Sequence, residues 1–180
     1  MSPSPPPRYT TTAIALHWLL AVALVGSFAV GLYMADLPLS PQRLKLYNWH
    51  KWAGATILAL SFVRLAWRLT HRPPPDLPMP DRQRLAAHAT HKLLYLLFFA
   101  VPLVGWAYSS AAGFPIVVFG VLPLPDFVPV DKALAEAIKP WHEWLAWLMA
   151  FLVLAHSGAA LKHHFIDRDG VLSRMWPAKA

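Results

Sequence analysis

Four stretches of the 180-residue chain are long and apolar enough to cross a bilayer as helices. They run over residues 13–35, 47–69, 88–108 and 141–165, and about 20 apolar residues span the hydrocarbon core. The composition agrees, because 57% of the residues are hydrophobic and only 14% are charged, which is typical of a membrane protein. The pattern therefore predicts an all-α membrane protein, a four-transmembrane-helix bundle.

The segments outside these stretches set the expected domain limits. The Pro-rich start, residues 1–12, is predicted to be disordered because its composition cannot form a packed core. Residues 13–166 are predicted to form the membrane domain, and residues 167–180 a tail. The first apolar stretch is too long for the core of a secretory signal and has no clear small-residue cleavage site, so we expect it to remain as an anchor.

One long connection, residues 109–140, is expected to lie outside the membrane. Its apolar part, residues 111–129, contains two glycines and four prolines, so a fifth spanning helix is not expected there. Residues 131–139 are predicted to form a short surface helix capped by Asp131. Pro140 then suits the first turn of the fourth spanning helix.

The distribution of basic residues predicts the orientation. Lys and Arg concentrate at the start, in the connection between the second and third stretches, and in the tail. The positive-inside rule then places both termini in the cytoplasm and the connection 109–140 in the periplasm. The net charge of +7 is explained by these topology signals, so the expected partner is the lipid bilayer and not nucleic acid.

Four of the nine histidines lie in the apolar stretches at two depths, whereas the others lie beside Lys92 or in or next to the basic loop and tail. His50 and His142 lie toward the outer side, and His17 and His156 toward the inner side. His142 and His156 are 14 residues apart. They therefore leave the fourth helix on nearly the same face, roughly 21 Å apart along its axis.

Paired histidines at two depths are explained by haem. A histidine in hydrocarbon is costly unless it is paired or ligated, and a haem iron can bind one imidazole on each axial side. The chain has no cysteine, which excludes disulfides, Cys-ligated iron–sulfur clusters and C-x-x-C-H haem attachment. We predict two haem b groups, an outer one held by His50 and His142 and an inner one held by His17 and His156. Iron with both axial positions filled is suited to electron transfer and not to carrying oxygen.

The faces of the fourth helix agree with this prediction. Ala146 and Met149 follow His142 on its own face, where small or flexible side chains leave room for a flat ring. Trp144, Trp147 and Phe151 are predicted to point away, toward lipid or a neighbouring helix. Small residues also line ordinary contacts between helices in membranes, so this feature is weak alone.

The sequence resembles the bacterial cytochrome b561 family over roughly residues 9 to 176. The matching motifs are "HW" at His17, "WHKWAG" at His50, and "KPWHEWLA" and "LAHSGAALKHHF" at the two ends of the fourth helix. The resemblance implies the same four haem ligands and a location in the bacterial inner membrane. It also implies electron exchange with a membrane quinone, ubiquinone, and superoxide as the donor in at least one member.

Each basic residue beside the predicted haems could have either of two roles. Arg64 and Arg68 lie level with the inner haem, where a guanidinium is suited to a haem propionate. They could equally be positive-inside anchors. Lys51 and Lys139 are weaker candidates of the same kind at the outer haem.

Further histidines lie near the inner end. His163, with Lys162 beside it, is a candidate for a quinone site because quinone reduction consumes protons and histidine titrates near neutral pH. The alternative is a basic cap on the end of the helix. His88 and His91 share a helix face, and we expect them to be polar interface residues and not ligands.

Three functions remain open from the sequence. The first is a di-haem quinone oxidoreductase that works alone or as a homodimer. The second is a cytochrome b subunit that anchors a dehydrogenase or hydrogenase and passes its electrons to quinone. The third, a transporter or sensor that binds zinc or copper through histidine, is disfavoured because such sites usually add carboxylates or thiols.

Overall fold

Four long helices dominate the structure, a computed structural model that describes residues 7–176. In chain order, α1 spans Thr11–Ala35, α2 Pro41–Thr70, α3 Asp81–Ala111 and α4 Lys132–Lys162. Between α3 and α4, the strands β1 (Val117–Val118) and β2 (Leu122–Pro123) pair antiparallel as a small hairpin. A π-helical turn, His163–Asp167, continues α4, and a 3-10 turn, Leu172–Arg174, follows.

Side chains in the flanking loops fix where three of the helices begin. The Thr10 hydroxyl accepts from the Ala13 N–H at 3.3 Å, and the Ser40 hydroxyl accepts from the Arg43 N–H at 3.3 Å. Asp131 accepts from the Leu134 N–H at 3.1 Å. Each bond satisfies a backbone N–H that the first turn of a helix leaves without a partner.

Three of the four helices suit a membrane span by length and composition: α1, α3, and α4 with its π-helical turn. Large apolar side chains cover their outer surfaces, among them Val22 at 72% exposed and Leu154 at 73%. The helix α2 is not in this group, since it carries five basic residues. The predicted helical membrane protein is therefore confirmed for three helices, and α2 as the fourth span stays a prediction.

The helices differ from their predicted bounds mainly at α4. The expected surface helix over residues 131–139 and the fourth span are one continuous helix, with Pro140 in its interior and not in its first turn. Asp131 is a cap, as predicted, but the helix that it starts continues through Pro140. Inside a helix, a proline removes the bond that its N–H would have donated to the carbonyl four residues earlier, and its ring crowds that carbonyl. At α3, Ser109, Ser110 and Ala111 still belong to the helix, so the outer connection is shorter than 109–140.

The first and last segments of the described range, 7–176, meet at one end of the bundle. Of the expected disordered start, residues 1–6 lie outside the described residues, whereas Tyr9 donates its N–H to the Arg174 carbonyl at 3.3 Å. The Arg174 side chain is only 6% exposed and donates to the carbonyls of Pro7 and Pro75 at 2.9 and 2.8 Å. The chain start, the α2–α3 connection and the tail therefore form one cap over the ends of the helices.

Helix packing leaves space on one side of α4. Among residues 7–176, the closely packed helix pairs are α1 with α2, α2 with α3, and α3 with α4. The helix α4 does not pack closely against α1 or α2. These are the two helices that carry the histidines predicted to pair with those of α4.

Candidate functional site

The outer pair of histidines comes together across the bundle. The ring centroids of His50 on α2 and His142 on α4 lie 6.1 Å apart, with the ring planes at 86°. Two imidazoles that bind one metal from opposite sides, through bonds of about 2 Å, have centroids roughly 6 Å apart. The spacing therefore matches a single metal held between the two rings.

Hydrogen bonds set the tautomer of both outer imidazoles. His50 Nδ1 lies 3.0 Å from the Ser27 carbonyl oxygen, and His142 Nδ1 lies 3.1 Å from the Val101 carbonyl oxygen. A carbonyl can only accept, so in each ring the Nδ1 carries the proton and donates it. The Nε2 atoms are then left with free lone pairs, which is the form in which a histidine binds a metal.

Two glycines allow neighbouring helices to approach these imidazoles. A Cβ added at Gly105 on α3 would lie 2.8 Å from Cε1 of His142, and one at Gly31 on α1 would lie 3.2 Å from Cε1 of His50. The backbone of the neighbouring helix therefore contacts each ring at the edge that carries Nδ1, the atom that bonds to a carbonyl. Gly31 was expected on the face of α1 that continues from His17, whereas Gly105 was not predicted to take part in the site.

The inner pair has nearly the same spacing. The ring centroids of His17 on α1 and His156 on α4 lie 6.2 Å apart, with the planes at 70°. Both predicted pairs are thus brought together, one toward each end of the bundle. They share α4, as the sequence predicted.

A third histidine joins the inner pair. The His91 ring on α3 lies 5.1 Å from the His156 ring, although the sequence indicated only a polar interface residue. Its partner in that prediction, His88, instead contacts Asp76 at 2.9 Å outside this cluster. The sequence did contain a signal that could have identified His91 as part of this cluster. It lies four residues before Tyr95, so both side chains lie on one face of α3.

Arg64 lies at the centre of the inner cluster. Its Nε donates to the Tyr95 hydroxyl at 3.2 Å, and its Nη2 lies 3.3 Å from His17 Nδ1. Arg68 lies over the same tyrosine ring, at 5.8 Å from the centroid. A guanidinium only donates, so His17 Nδ1 accepts here, which is the opposite tautomer from the outer pair. Tyr95 is a contact of both arginines.

The candidate quinone residue, His163, is only 8% exposed and bonded on both sides. Its Nδ1 meets the Asp169 carboxylate, and its Nε2 lies 2.9 Å from the side-chain amide of Gln83 on α3. Lys162 lies beside this group, because its ammonium pairs at 2.6 Å with the Asp167 carboxylate, which is itself 3.5 Å from His163 Nδ1. Burial raises the pKa of Asp169, but the hydrogen bond from the Val171 N–H and the contact with His163 outweigh it, so that pKa lies below its usual range.

The weaker candidates at the outer end have partners of their own. The Lys51 ammonium donates to the Phe114 and Pro115 carbonyls at 3.4 and 3.2 Å, which ties the outer connection to α2. Lys139 lies 3.8 Å from Glu143 on the surface of α4.

Comparisons of the sequence with a family profile and with individual proteins agree on one family. The profile of the family described as prokaryotic cytochrome b561 matches residues 8–178. Cytochrome b561 homolog 2 of Escherichia coli K12 is 40% identical over 172 residues, which cover 94% of this chain and 92% of the relative. Cytochrome b561 homolog 1 of the same organism is 34% identical, covering 96% of this chain and 98% of the relative.

A further relative has a name that describes an activity. The probable superoxide oxidase CybB of Yersinia pestis is 31% identical over 174 residues, which cover 96% of this chain and 97% of the relative.

Proposed function

The chain belongs to the prokaryotic cytochrome b561 family, and from that premise we propose that it is a di-haem b cytochrome. It would transfer electrons across the bacterial inner membrane to or from ubiquinone, with superoxide as the candidate donor. Family membership implies haem b, electron transport and a membrane location. The number of haems, their ligands and the two substrates are what is proposed.

The observation that carries the proposal is the equal spacing of the two histidine pairs. Ring centroids at 6.1 and 6.2 Å each leave room for one axially ligated iron. The backbone of α4 makes few close contacts with α1 or α2, and a macrocycle between the paired histidines would require that separation. The rings of Phe28 on α1 and Trp147 on α4, 5.2 Å apart, bridge the two helices between the levels of the two pairs. His50 and His142 would hold the outer haem, and His17 and His156 the inner one.

When bound, the two haems would supply one-electron carriers at two depths in the membrane. The protein would contribute the two histidines that hold each haem and would orient their imidazoles. At the outer site, the Ser27 and Val101 carbonyls hold the rings with Nε2 unprotonated. Bonds of this kind from the non-ligating nitrogen fix the ring orientation and raise ligand basicity.

At the inner site, Arg64 would bind a haem propionate. His17 can present an unprotonated Nε2 only if its Nδ1 carries the proton, and that requires Arg64 to donate elsewhere. A propionate is a suitable acceptor, because guanidinium–carboxylate hydrogen bonds are stronger than neutral ones. Arg68, which lies over the same Tyr95 ring, would bind the second propionate.

The quinone would be bound near His163, at the cytoplasmic end of α4. The contact with Asp169 keeps a proton on Nδ1, and Nε2 faces the Gln83 amide. A quinone oxygen would replace Gln83 or bind beside it. The orientation rests on the basic residues at this end, with both termini cytoplasmic and α2 as the fourth span.

The deciding experiment is haem analysis of the purified protein. Wild type should bind two haems with the spectrum of bis-histidine iron. His142→Ala should lose one, and His156→Ala the other, because an open axial position leaves the partner imidazole unsatisfied in a low-dielectric site. His164→Ala is the matched control, since His164 lies on the exposed side of the π-helical turn. A colourless wild type, or loss of the same haem in both variants, would refute the assignment.

A second experiment tests the quinone end. His163→Ala should slow quinone reduction several-fold while both haems remain bound, since the proton-carrying group near the quinone would be lost. Gln83→Ala is the companion variant, because it frees His163 Nε2 and leaves the Asp169 contact. Normal quinone turnover in His163→Ala with full haem content would place the quinone site elsewhere.

A further inference from the structure

The hairpin of β1 and β2, in the outer connection, exposes several neighbouring apolar side chains. Phe119 is 65% exposed and Val121 80%, and Leu122 is exposed as well. The stretch around them, residues 111–130, contains a single charged residue, Asp126. A group of exposed apolar side chains in one place marks a surface that contacts another molecule or a membrane.

The backbone at the tip of the hairpin adds a second observation. Phe119 has a φ of +52° and the next residue, Gly120, a φ of +75°. Positive φ is strained for a bulky side chain, and Asn, Asp or Gly is the usual choice in such a turn. The Trp52 ring covers part of Phe119, with centroids 5.5 Å apart. Most of the phenyl ring nevertheless stays exposed, so the chain holds a strained and apolar residue where a turn in water would carry a polar one.

The hairpin lies on the outside of the helix bundle, against α2. The Trp52 indole Nε1 donates to the Val117 carbonyl of β1 at 2.6 Å. Trp52 follows His50 by two residues, or about 200° around the helix. Because His50 faces α4 inside the bundle, Trp52 and the hairpin lie on the opposite side of α2. In a membrane, this side of the bundle faces lipid.

The hairpin also lies at the level of the membrane surface and does not project far beyond it. Its contacts Lys51 and Trp52 are about one turn inside residue 47, the outer limit of the predicted second span. After the end of α3 the chain turns back, since the Phe114 N–H donates to the Ser109 carbonyl at 2.9 Å. Exposed tryptophans of α2 and α4, Trp49 and Trp141, lie at this end of the bundle, and tryptophan is enriched where a membrane meets water.

The polar backbone groups of the hairpin are largely satisfied. The Val121 N–H donates to the Val118 carbonyl at 3.1 Å, and the Leu124 N–H donates to the Ile116 carbonyl at 2.8 Å. Prolines have no N–H that would need a partner. The hairpin and its flanks contain three of them, Pro115, Pro123 and Pro125. A segment with few free donors is suited to surroundings that offer little water.

We propose that the tip of this hairpin inserts into the outer leaflet of the bilayer, at the boundary between headgroups and acyl chains. Phe119, Val121 and Leu122 would contact lipid. Since the surrounding stretch carries only one charge, the contact depends on apolar burial and not on attraction to anionic headgroups. The inference goes beyond electron transfer and depends on α2 as the fourth span. Part of the connection that the sequence places outside the membrane would then belong to its surface.

Site-directed spin labelling tests the proposal, because the chain has no cysteine and a single introduced one gives a unique label. The protein carrying labelled Val121→Cys is placed in phosphatidylcholine nanodiscs. Molecular oxygen concentrates in lipid and the nickel complex of ethylenediamine diacetate stays in water, so the relaxation that each causes reports depth. The label at Val121 should be more accessible to oxygen than to nickel, as at Leu154→Cys on the exposed face of α4. Glu136→Cys, near the start of α4, should show the reverse.

A second variant tests the strained tip. In the Val121→Cys background, Phe119→Asn keeps a residue that tolerates positive φ but removes the ring, so accessibility to nickel should rise several-fold. Phe165→Asn, an equally exposed change at the inner end, is the matched control and should have no effect.

A Val121 label that is as accessible to nickel as the Glu136 label would overturn the proposal and favour a partner protein as the cover of this surface. A label that does not respond to Phe119→Asn would also overturn it, since the tip would then not hold the hairpin in lipid. The haem content of the same samples tests the proposed function, so the two failures are distinguishable.

Discussion

At the scale of single residues, glycine decides how close a helix can come to a histidine. Gly31 and Gly105 each face the edge of an imidazole, at distances where a methyl group would be in contact or overlap. The carbonyls that fix the two tautomers, those of Ser27 and Val101, lie within one turn of these glycines in the chain. Ring position and ring tautomer are therefore set by the same close approach of backbone.

We predict that Gly105→Ala selectively impairs the outer haem. The new methyl would lie 2.8 Å from the His142 ring, so the ring must shift and the Val101 bond with it. Loss of ligand support of this kind typically costs 10–100-fold in metal affinity. Haem content and the optical spectrum of the purified variant measure the effect.

The chain offers a matched control for this substitution. Gly158→Ala places the same methyl on α4, where no other atom lies within 4 Å, and it should keep both haems. Gly31→Ala should be milder than Gly105→Ala, because its methyl would lie 3.2 Å from His50. Full outer-haem occupancy in Gly105→Ala would show that α3 does not position His142.

At the scale of elements, α4 and the turn that continues it connect three sites. The helix carries His142 and His156, and its π-helical turn carries His163. The tail then folds back, so that Asp169 meets His163 while Arg174 meets the chain start. The tail is therefore held by two contacts of different character, an ionisable pair and a set of arginine–carbonyl bonds.

We predict that Asp169 stabilises this end of the protein in a pH-dependent way. Its pKa in the folded protein lies below the usual value, which is about 3.9 in an unfolded chain. The unfolded state then binds the proton more readily, so the stabilisation is fully present above about pH 4 and is lost as the pH falls through the lower, folded pKa.

Thermal unfolding of wild type and Asp169→Asn from pH 7 to pH 3 measures this contribution. Wild type should unfold at the higher temperature at neutral pH, and the difference should shrink below about pH 4. A difference that is the same at both ends of this range would contradict the prediction.

At the scale of the whole molecule, basic residues lie at both ends of the bundle. Most of them lie at the inner end, with the cap and the quinone candidate, and five lie at the outer end, on the side of the proposed outer haem. Two of the outer basic side chains have polar partners within the protein. The Lys51 ammonium bonds to a carbonyl of the outer connection, and the Lys139 ammonium lies near the Glu143 carboxylate. The basic residues of the outer end are Arg43, Lys45, Lys51, Lys132 and Lys139.

We predict that reduction of the protein by superoxide slows as ionic strength rises. The donor is an anion, and salt screens its attraction to the outer basic residues over a Debye length of about 8 Å at physiological strength. Lys139→Glu should slow the reaction further. Arg82→Glu is the control, because Arg82 lies at the opposite end of the bundle, near the start of α3.

The rate of haem reduction in stopped-flow measurements tests this prediction. A rate that is indifferent to salt and to Lys139→Glu would mean that superoxide is not steered to this end. The donor would then be a quinol or a partner protein, which favours the subunit hypothesis.

Local patterns in the chain were enough to predict the helices, the two levels and the histidine pairs. Apolar length and the cap Asp131 depend on local chemistry, so they can be read from the chain. The 14-residue spacing of His142 and His156 fixes a common face and two depths through helix geometry alone. The two predicted pairs came together with ring centroids 6.1 and 6.2 Å apart.

The groups that surround each pair were set by packing between helices. His91, Val101 and Gly105 all lie on α3, a helix that carries none of the four predicted ligands. Their contacts with α4 depend on how α3 is rotated and how closely it packs, which no local pattern specifies. The burial of His163 between Gln83 and Asp169 likewise joins residues far apart in the chain. Helical periodicity places a residue at a depth and on a face, but its neighbours are set by packing between helices.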